Sequence, residues 1–280
     1  MLDTIEELEG SLVQHGETHN RLYVKECPEH NLKAFIPKIK ALAQQNKYDK
    51  ILGKIPENAI SFFETNGYKI EAKIPGLYHG EINGYFLADY LNKNRSYKDE
   101  RALKTIESVK TIAQAAKSTA EEGFMKLPSR YEVRTLGKKD LTALAQLHQR
   151  VFTSYDVPID DEAYLTNLLK KNHQFYGLFD EGELIVSAIL QINVKQSNIE
   201  IVDIATHPNF RGQNLSYYVL QEIKQKSSEL GCKTLFSLVR ATSYGLNITF
   251  SKHGFHLGGT LYNNTMIANR LESMNVWYCN

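Results

Sequence analysis

One-sided charge is what this sequence most plainly lacks. Lys and Arg total 33 against 32 Asp and Glu in 280 residues, a formal net charge of +1. A chain so balanced offers no electrostatic footprint for nucleic acid or for an anionic membrane surface. Cysteine is scarce, and Cys27, Cys232 and Cys279 are odd in number and far apart, which suits reduced thiols in a cytoplasm. No Cys/His spacing suggests zinc, so no metal is expected. No apolar run approaches the ~20 residues of a membrane span, and the N-terminus is acidic rather than signal-like. What is present, 42% hydrophobic and 23% charged residues, describes a soluble globular chain with room for one large domain or two ordinary ones.

The stretch from Ile199 to Leu220, IEIVDIATHPNFRGQNLSYYVL, organises the rest. Its first part is rich in Ile and Val and reads as a buried strand, stopped by His207-Pro208 because proline cannot donate to a strand ladder. Asn209 to Asn214 form a turn. Leu215, Val219, Ile223 and Leu230 then mark the apolar face of a helix, which Gly231 stops. A strand feeding a glycine-containing turn at a helix N-terminus gathers free backbone N–H groups around one point, and such a point suits phosphate.

Ahead of this stretch, residues 3–9 read as an acidic, helical start ended by Gly10. Strands are expected at 11–16, 21–25 and 49–55, with a helix over 32–45 in which Pro37 is an awkward interior residue. A short helix over 57–65 ends at Asn66-Gly67, and strands follow at 69–74 and 84–91. Residues 96–127 combine helical spacing, alternating charge and small residues, and predict a mostly solvated connecting helix with a boundary near Pro128. Next come a strand at 131–136, a helix capped by Asp140 and running to Val151, a loop over 152–160 and a second helix over 162–171. A hairpin over 175–194 turns at Glu181-Gly182. A strand at 233–240 follows the organising helix.

The wording of the turn resembles the pyrophosphate loop of the GNAT acetyltransferases, Gln/Arg-x-x-Gly-x-Gly/Ala after a Val-rich strand. Arg211 holds the first position, while Asn214 and Ser216 stand where the family usually has small residues. Strand, two helices and three strands before the turn is also the GNAT order. Asn247 and the helix ending in Gly254-Phe255 fit the same family. The segments GSLVQHGETHNRLYV, YKIEAKIPGLYHG and SYGLN, the element Asn263-Asn264-Thr265 and above all the ending ESMNVWY resemble the β-lysine N-acetyltransferases, so the likeness covers nearly the whole chain. It implies an α/β GNAT fold, a mixed central sheet flanked by helices, over 129–280. An internal repeat sets IPKIKALAQQNKYDKILGKI over LQEIKQKSSELGCKTLFSLV and Phe63-x-x-x-Gly67-Tyr68 over Phe250-x-x-x-Gly254-Phe255. Residues 1–95 therefore read as a truncated GNAT-like α/β domain, with 96–128 as the connecting helix. Nothing like Arg211-Gly212 precedes the first helix of that copy, which is expected to bind no CoA.

The resemblance implies transfer of acetyl from acetyl-CoA to the ε-amine of β-lysine, giving a zwitterionic compatible solute used against salt stress. Another small diamine or amino acid is the alternative acceptor, and a non-catalytic acetyl-CoA sensor the alternative outside the class. The partner is a small-molecule amine, and a homodimer is left open. The resemblance assigns the cofactor to Ile204, Ala205 and Thr206 at the strand end, to Arg211, Gly212, Gln213, Asn214, Leu215 and Ser216, and to Asn247 and Phe250. The base candidates are Glu200 and Asp203, which a regular strand would point to opposite faces. The family's usual acid, a tyrosine, falls on Phe250, which cannot donate. That leaves Tyr244, Ser243 or water. Asn263, Asn264, Glu272 and Asn275 are the candidates for reading the substrate's charged end. His207 and His253 read as surface residues, Gly258-Gly259 as a bulge, and Trp277 as core or as an aromatic wall for the substrate.

Overall fold

The computed structural model describes residues 3–117, 126–152 and 157–280. In chain order the elements are β1 (Thr4–Leu8), β2 (Ser11–Gly16), β3 (Arg21–Glu26), α1 (Leu32–Gln45), β4 (Lys50–Pro56), α2 (Ile60–Glu64), β5 (Lys69–Tyr78), β6 (Ile82–Tyr90), α3 (Lys93–Ser96) and α4 (Glu100–Lys117). The second half adds β7 (Tyr131–Leu136), α5 (Leu141–Val151), α6 (Glu162–Leu169), β8 (His173–Asp180), β9 (Glu183–Asn193), β10 (Asn198–Thr206), α7 (Ser216–Glu229), β11 (Thr234–Arg240), α8 (Tyr244–Lys252), β12 (His256–Ile267) and β13 (Arg270–Cys279).

All 13 strands join one sheet, in the order β1-β2-β3-β4-β6-β5-β12-β13-β11-β10-β9-β8-β7. That order reads alike from both sides toward its middle: β2-β3-β4-β6-β5 meets β9-β10-β11-β13-β12. In each half a parallel pair brackets a helix, β3/β4 around α1 and β10/β11 around α7. The remaining pairs are antiparallel in corresponding places. The halves meet where β5 and β12 pair antiparallel at Ala72 and Gly259. A Cβ built on Gly259 would lie 2.3 Å from the Glu71 carbonyl oxygen, so only glycine lets the two backbones approach.

Side chains reach across this seam in matching fashion. Arg21 donates to the Asn264 carbonyl (2.7 Å), and Asn198, its counterpart in the repeat, donates to the Leu77 carbonyl (2.9 Å). Lys50 donates to the Tyr262 carbonyl (2.7 Å) and its counterpart Thr234 to the Gly76 carbonyl (2.8 Å). The Lys50 ammonium also pairs with Glu71 at 2.8 Å. Burial outweighs that partner and lowers the Lys50 pKa to about 8.

Each half has its own core. In the first, Phe35, Ile36 and Ile39 of α1 pack on Leu22 and Ile51; in the second, Val219, Leu220 and Ile223 of α7 pack on Ile199, Ile201 and Val186. Leu141, Leu144 and Leu165 of α5 and α6 cover the other face of the sheet in the second half, against Phe175 and Ile189. A further cluster bridges the halves, bringing Tyr23, Leu52 and Phe86 onto Phe236, Leu261 and Val276.

Several expectations are corrected. Residues 4–8 form a strand paired with β2, because the left-handed pair Glu9 (φ 52°) and Gly10 (φ 75°) folds the chain into a tight hairpin that a helix of that length could not rival. Helix α1 starts at Leu32 despite Pro37. Asp140 does not cap α5 with its side chain. Its carboxylate turns back to the Gly137 N–H (2.9 Å) and takes a two-pronged contact from Arg134. Helix α4 is solvated on most sides but buries Ile106, Val109 and Ala113 along one stripe, and it packs against α8. The expected end of that helix at Gly123 and residues 153–156 of the loop over 152–160 lie outside the described residues. The left-handed turn at Glu181-Gly182 and the bulge at Gly258 are present as expected.

Candidate acetyl-transfer site

Strands β10 and β11 hold the site because they part. They pair only at Asn198–Thr234, Ile199–Leu235 and Glu200–Phe236. Beyond that point β11 continues on β13 as far as Arg240–Met274, while β10 continues on β9 as far as Thr206–Val186. Within the opening, the Ser237 hydroxyl donates to the Ile201 carbonyl at 2.7 Å. A wedge between parallel strands leaves backbone groups facing each other without ladder partners, which is where a ligand can enter a sheet.

A bulge at the wedge changes the expected facing of the two acids. Glu200 stands opposite Gln191 and Asp203 opposite Ile189, with a register shift between Ile201 and Asp203. Gln191 and Ile189 are two apart on β9 and share a face, so Glu200 and Asp203 share it too. The regular-strand expectation of opposite faces is overturned by one extra residue. Asp203 lies past the last β10–β11 pair, and its carboxylate sits 3.7 Å from His148 Nε2. His148 Nδ1 is 2.7 Å from the Ile159 carbonyl and must donate to it, so Nε2 accepts from the Ser187 hydroxyl at 3.3 Å. The imidazole is fully buried and burial lowers its pKa. The contact with Asp203 is therefore that of a neutral ring beside a carboxylate.

At the far end of β10 lies the expected anion loop. Arg211 is exposed and donates from Nε to the Thr206 carbonyl at 3.3 Å. Gly212 (φ 78°) and Asn214 (φ 56°) are both left-handed, and Leu215 leads into α7 from a buried position. A Cβ on Gly212 would meet nothing within 4 Å, so its glycine is required by backbone conformation and not by crowding. Ile204 and Ala205 are buried at the strand end, next to half-buried Thr206. Gln213 precedes Asn214 in the turn, and Ser216 is the first residue of α7.

Other candidates sit in different surroundings. Asn247 is fully buried, and all four of its side-chain bonds are taken. It donates to the Arg240 (3.0 Å) and Ser243 (2.7 Å) carbonyls, and accepts from Asn275 and from Trp277 Nε1, both at 2.8 Å. Asn275 in turn accepts from the Thr260 hydroxyl. Trp277 is core. Phe250 is buried edge-on to Phe255. Tyr244 is exposed and its hydroxyl donates to Ser108 of α4, at 3.1 Å; Ser243 precedes α8. Asn263 donates to the carbonyls of Arg95 and Tyr97. The Asn264 carbonyl accepts from Arg21 and Arg95, and Glu272 lies 4.0 Å from Arg240. His207 lies beside Arg150. His253, expected at the surface, is packed 4.0 Å from the Tyr217 ring, and burial lowers its pKa to about 3.

Sequence reasoning missed His148, Tyr23 and Lys54. His148 had a signal: it falls on the core-facing spacing Leu141, Leu144, Ala145, His148. Tyr23 and Lys54 face Glu200 from the first half, with the Lys54 ammonium 5.3 Å from the centroid of the Phe236 ring. Burial raises the Tyr23 phenol, and the Glu200 charge adds to that effect.

A mixed sheet with helices on both faces, a bulged strand, a wedge beside it and a left-handed loop entering a helix together make the fold of a GNAT domain. Residues 141–255 match the acetyltransferase (GNAT) family, and that match with the relatives below makes the chain an N-acetyltransferase carrying a GNAT domain. Its relatives carry the likeness across both halves. The β-lysine N(6)-acetyltransferase of Methanococcus maripaludis is 24% identical over 277 residues, covering 99% of this chain and 98% of its own length. The N-acetyltransferase YodP of Bacillus subtilis is 28% identical over 246 residues, 86% of each chain. The β-lysine N(6)-acetyltransferase of Methanosarcina mazei is 27% identical, covering 85% of this chain and 94% of its own. Among solved structures, the ribosomal-protein-S18-alanine N-acetyltransferase from Escherichia coli aligns with a TM-score of 0.47 at 19% identity, over 53% of this chain and 92% of its own. Among the described residues no group of His, Cys, Asp and Glu could hold a metal ion, and no helix is long and apolar enough to cross a membrane.

Proposed function

We propose that the chain transfers the acetyl group of acetyl-CoA to the ε-amine of β-lysine, producing a zwitterionic compatible solute in the cytoplasm. The observation that carries this reading is the parting of β10 and β11 after Glu200–Phe236, with two carboxylates on one face of the wedge. Acetyl-CoA supplies the electrophilic thioester. The loop from Arg211 to Ser216 fits its phosphates: two left-handed residues and a helix start turn N–H groups outward beside an exposed guanidinium. The backbone of Ile204, Ala205 and Thr206 lines the open side of the wedge.

A lysine-type amine has a pKa of ~10.4 and must lose a proton before attack. Asp203 is placed for that task, because it lies past the last ladder pair, with its carboxylate 3.7 Å from the buried neutral ring of His148. The ammonium gives one proton to Asp203; the freed lone pair forms the C–N bond, the C–S bond breaks, and the second nitrogen proton passes to solvent. A thiolate, with pKa ~8.5, departs without a strong acid and takes its proton from solvent. That fits the environment of Tyr244, which is engaged with Ser108.

The first half reads as a truncated GNAT-like unit without a cofactor loop: Cys27 to Asn31 joins β3 to α1, where the second half has the longer stretch from His207 to Leu215. The similarity to two β-lysine N(6)-acetyltransferases over both halves supports β-lysine as acceptor. The test is thiol release from acetyl-CoA with β-lysine, with the acetylated nitrogen located by mass spectrometry. Asp203→Asn should lower kcat at least ~100-fold, the lower end of general-base contributions. Saturable acetyl-CoA binding with no release on any small amine would replace this reading with that of a sensor.

A further inference from the structure

The first half sets beside Glu200 a group of residues that has no role in the cofactor reading. Tyr23 on β3 and Leu52 on β4 pack with Phe236 of β11 in one cluster. Lys54 follows Leu52 by two residues and so shares its face. Its ammonium lies against the Phe236 ring, and Phe236 is in register with Glu200. Among the described residues the Lys54 ammonium has no hydrogen-bond acceptor and no ion pair within 4.0 Å. It is half-buried, and burial pulls its pKa below the lysine range despite the opposing influence of Glu200. A desolvated ammonium is stable only with an anion beside it. Its counterpart in the repeat, Leu238, carries no charge.

We propose that Lys54 of the first half binds the carboxylate of the acceptor, making the N-terminal half the wall that selects amino-acid amines over plain diamines. This inference rests on the acetyl-transfer reading and adds the group that holds the acceptor's far end. The dimensions agree. Six bonds separate the carboxyl carbon of a 3,6-diaminohexanoate from its terminal nitrogen, a span of ~7.5 Å for an extended zigzag. Lys54 is opposite the Glu200–Phe236 pair. Two further residues along β10, at ~3.3 Å each, reach the bulge before Asp203. A carboxylate on Lys54 therefore brings the terminal amine to the wedge, with Glu200 near the middle of the molecule, where the 3-ammonium lies. Asn263 and Asn275, expected to read the charged end, spend their side-chain bonds on the carbonyls of Arg95 and Tyr97 and on Thr260 and Asn247.

The experiment compares full-length wild type with Lys54→Met, assayed for CoA release with β-lysine and with 1,4-diaminopentane, the same amine without the carboxylate. Wild type should prefer β-lysine in kcat/KM. Lys54→Met should lose ~10–100-fold on β-lysine, as expected for one charge-assisted contact, while its turnover of 1,4-diaminopentane stays within about twofold. Retained turnover of the diamine also shows that the fold survives. Lys54→Gln, closer in length and polarity, serves if the Met variant does not fold, and Lys54→Arg should recover part of the loss. An unchanged ratio between the two amines in Lys54→Met or Lys54→Gln overturns the assignment of Lys54 alone. A wild type that acetylates neither amine overturns the function reading, and this inference with it.

Discussion

Asn247 separates a structural role from a ligand-binding one, because its side chain is saturated within the protein. Truncation to alanine removes the acceptor of Trp277 Nε1 and of Asn275 Nδ2, on side chains that are 1% and 0% exposed. It also strips a donor from the Arg240 and Ser243 carbonyls at the start of α8. Each buried group left without a partner costs ~1–3 kcal/mol, so the two donors alone set a loss of ~2–6 kcal/mol. For a chain of this size that corresponds to a fall in Tm of roughly 5–10 °C. Differential scanning calorimetry reads the fall directly. A Trp277→Phe partner closes a double-mutant cycle: with the indole donor gone, Asn247→Ala should cost ~1 kcal/mol less than it does alone. Below the transition the acetyl-CoA KM of Asn247→Ala should stay within about twofold of wild type. An unchanged Tm together with a KM raised ~10-fold would refute the reasoning and return Asn247 to the cofactor site.

At the loop, Arg211→Glu sets a negative charge beside the phosphates, and Gly212→Val forces a β-branched residue to φ 78°; each should raise the acetyl-CoA KM at least ~10-fold, and unchanged values in both would place the cofactor elsewhere. Isothermal calorimetry should count one CoA per chain, since only the second half carries that loop, and a count of two would reject the truncated-repeat reading. Stability should fall in acid. His19 Nδ1 accepts from the Met266 N–H at 3.2 Å and from the Thr265 hydroxyl at 2.9 Å, and burial lowers its pKa to about 4. The unfolded chain, near ~6.5, therefore takes the proton first, so stability is lost as pH falls from ~6.5 to about 4. His19→Asn places a non-titrating oxygen where Nδ1 stood and should flatten Tm against pH over that window, and an unaltered slope would remove His19 as the cause.

The sequence disclosed the parts governed by local chemistry. Ile/Val runs, the left-handed positions in Arg211-Gly212-Gln213-Asn214 and the turn at Glu181-Gly182 need only their neighbours to be understood. The repeat was legible because Phe63 and Phe250, with the glycines after them, solve one packing problem twice. What stayed hidden depends on partners far along the chain. Lys50, Leu52 and Lys54 alternate with Ile51, Gly53 and Ile55, the pattern of a strand with one wet face. That face is instead covered by the second half, which no local period reveals. The acids on β10 were found, but their common facing was not, because a bulge at Val202 leaves no mark in a strand of alternating types. That Asn275 of the last strand bonds Asn247 was not legible, since a polar side chain in a strand does not disclose whether it faces a ligand or another asparagine.

The seam between β5 and β12 bears on how the molecule is made. Arg21, Arg95 and Lys50 are buried cations whose carbonyl acceptors include residues 262–264, and His19 waits for Thr265 and Met266. On a ribosome those acceptors emerge long after the first half has been made. The first half can gather its helix and strands early, but its charged face then has water where the protein will later stand. Its final structure is closed by residues 262–266, across sequence separations of 168 to 247 residues, where loop-closure entropy slows the search. Residues 262–266 thus act as a late-arriving latch, which gives the nascent first half a long interval in which its exposed edge must be kept from other chains.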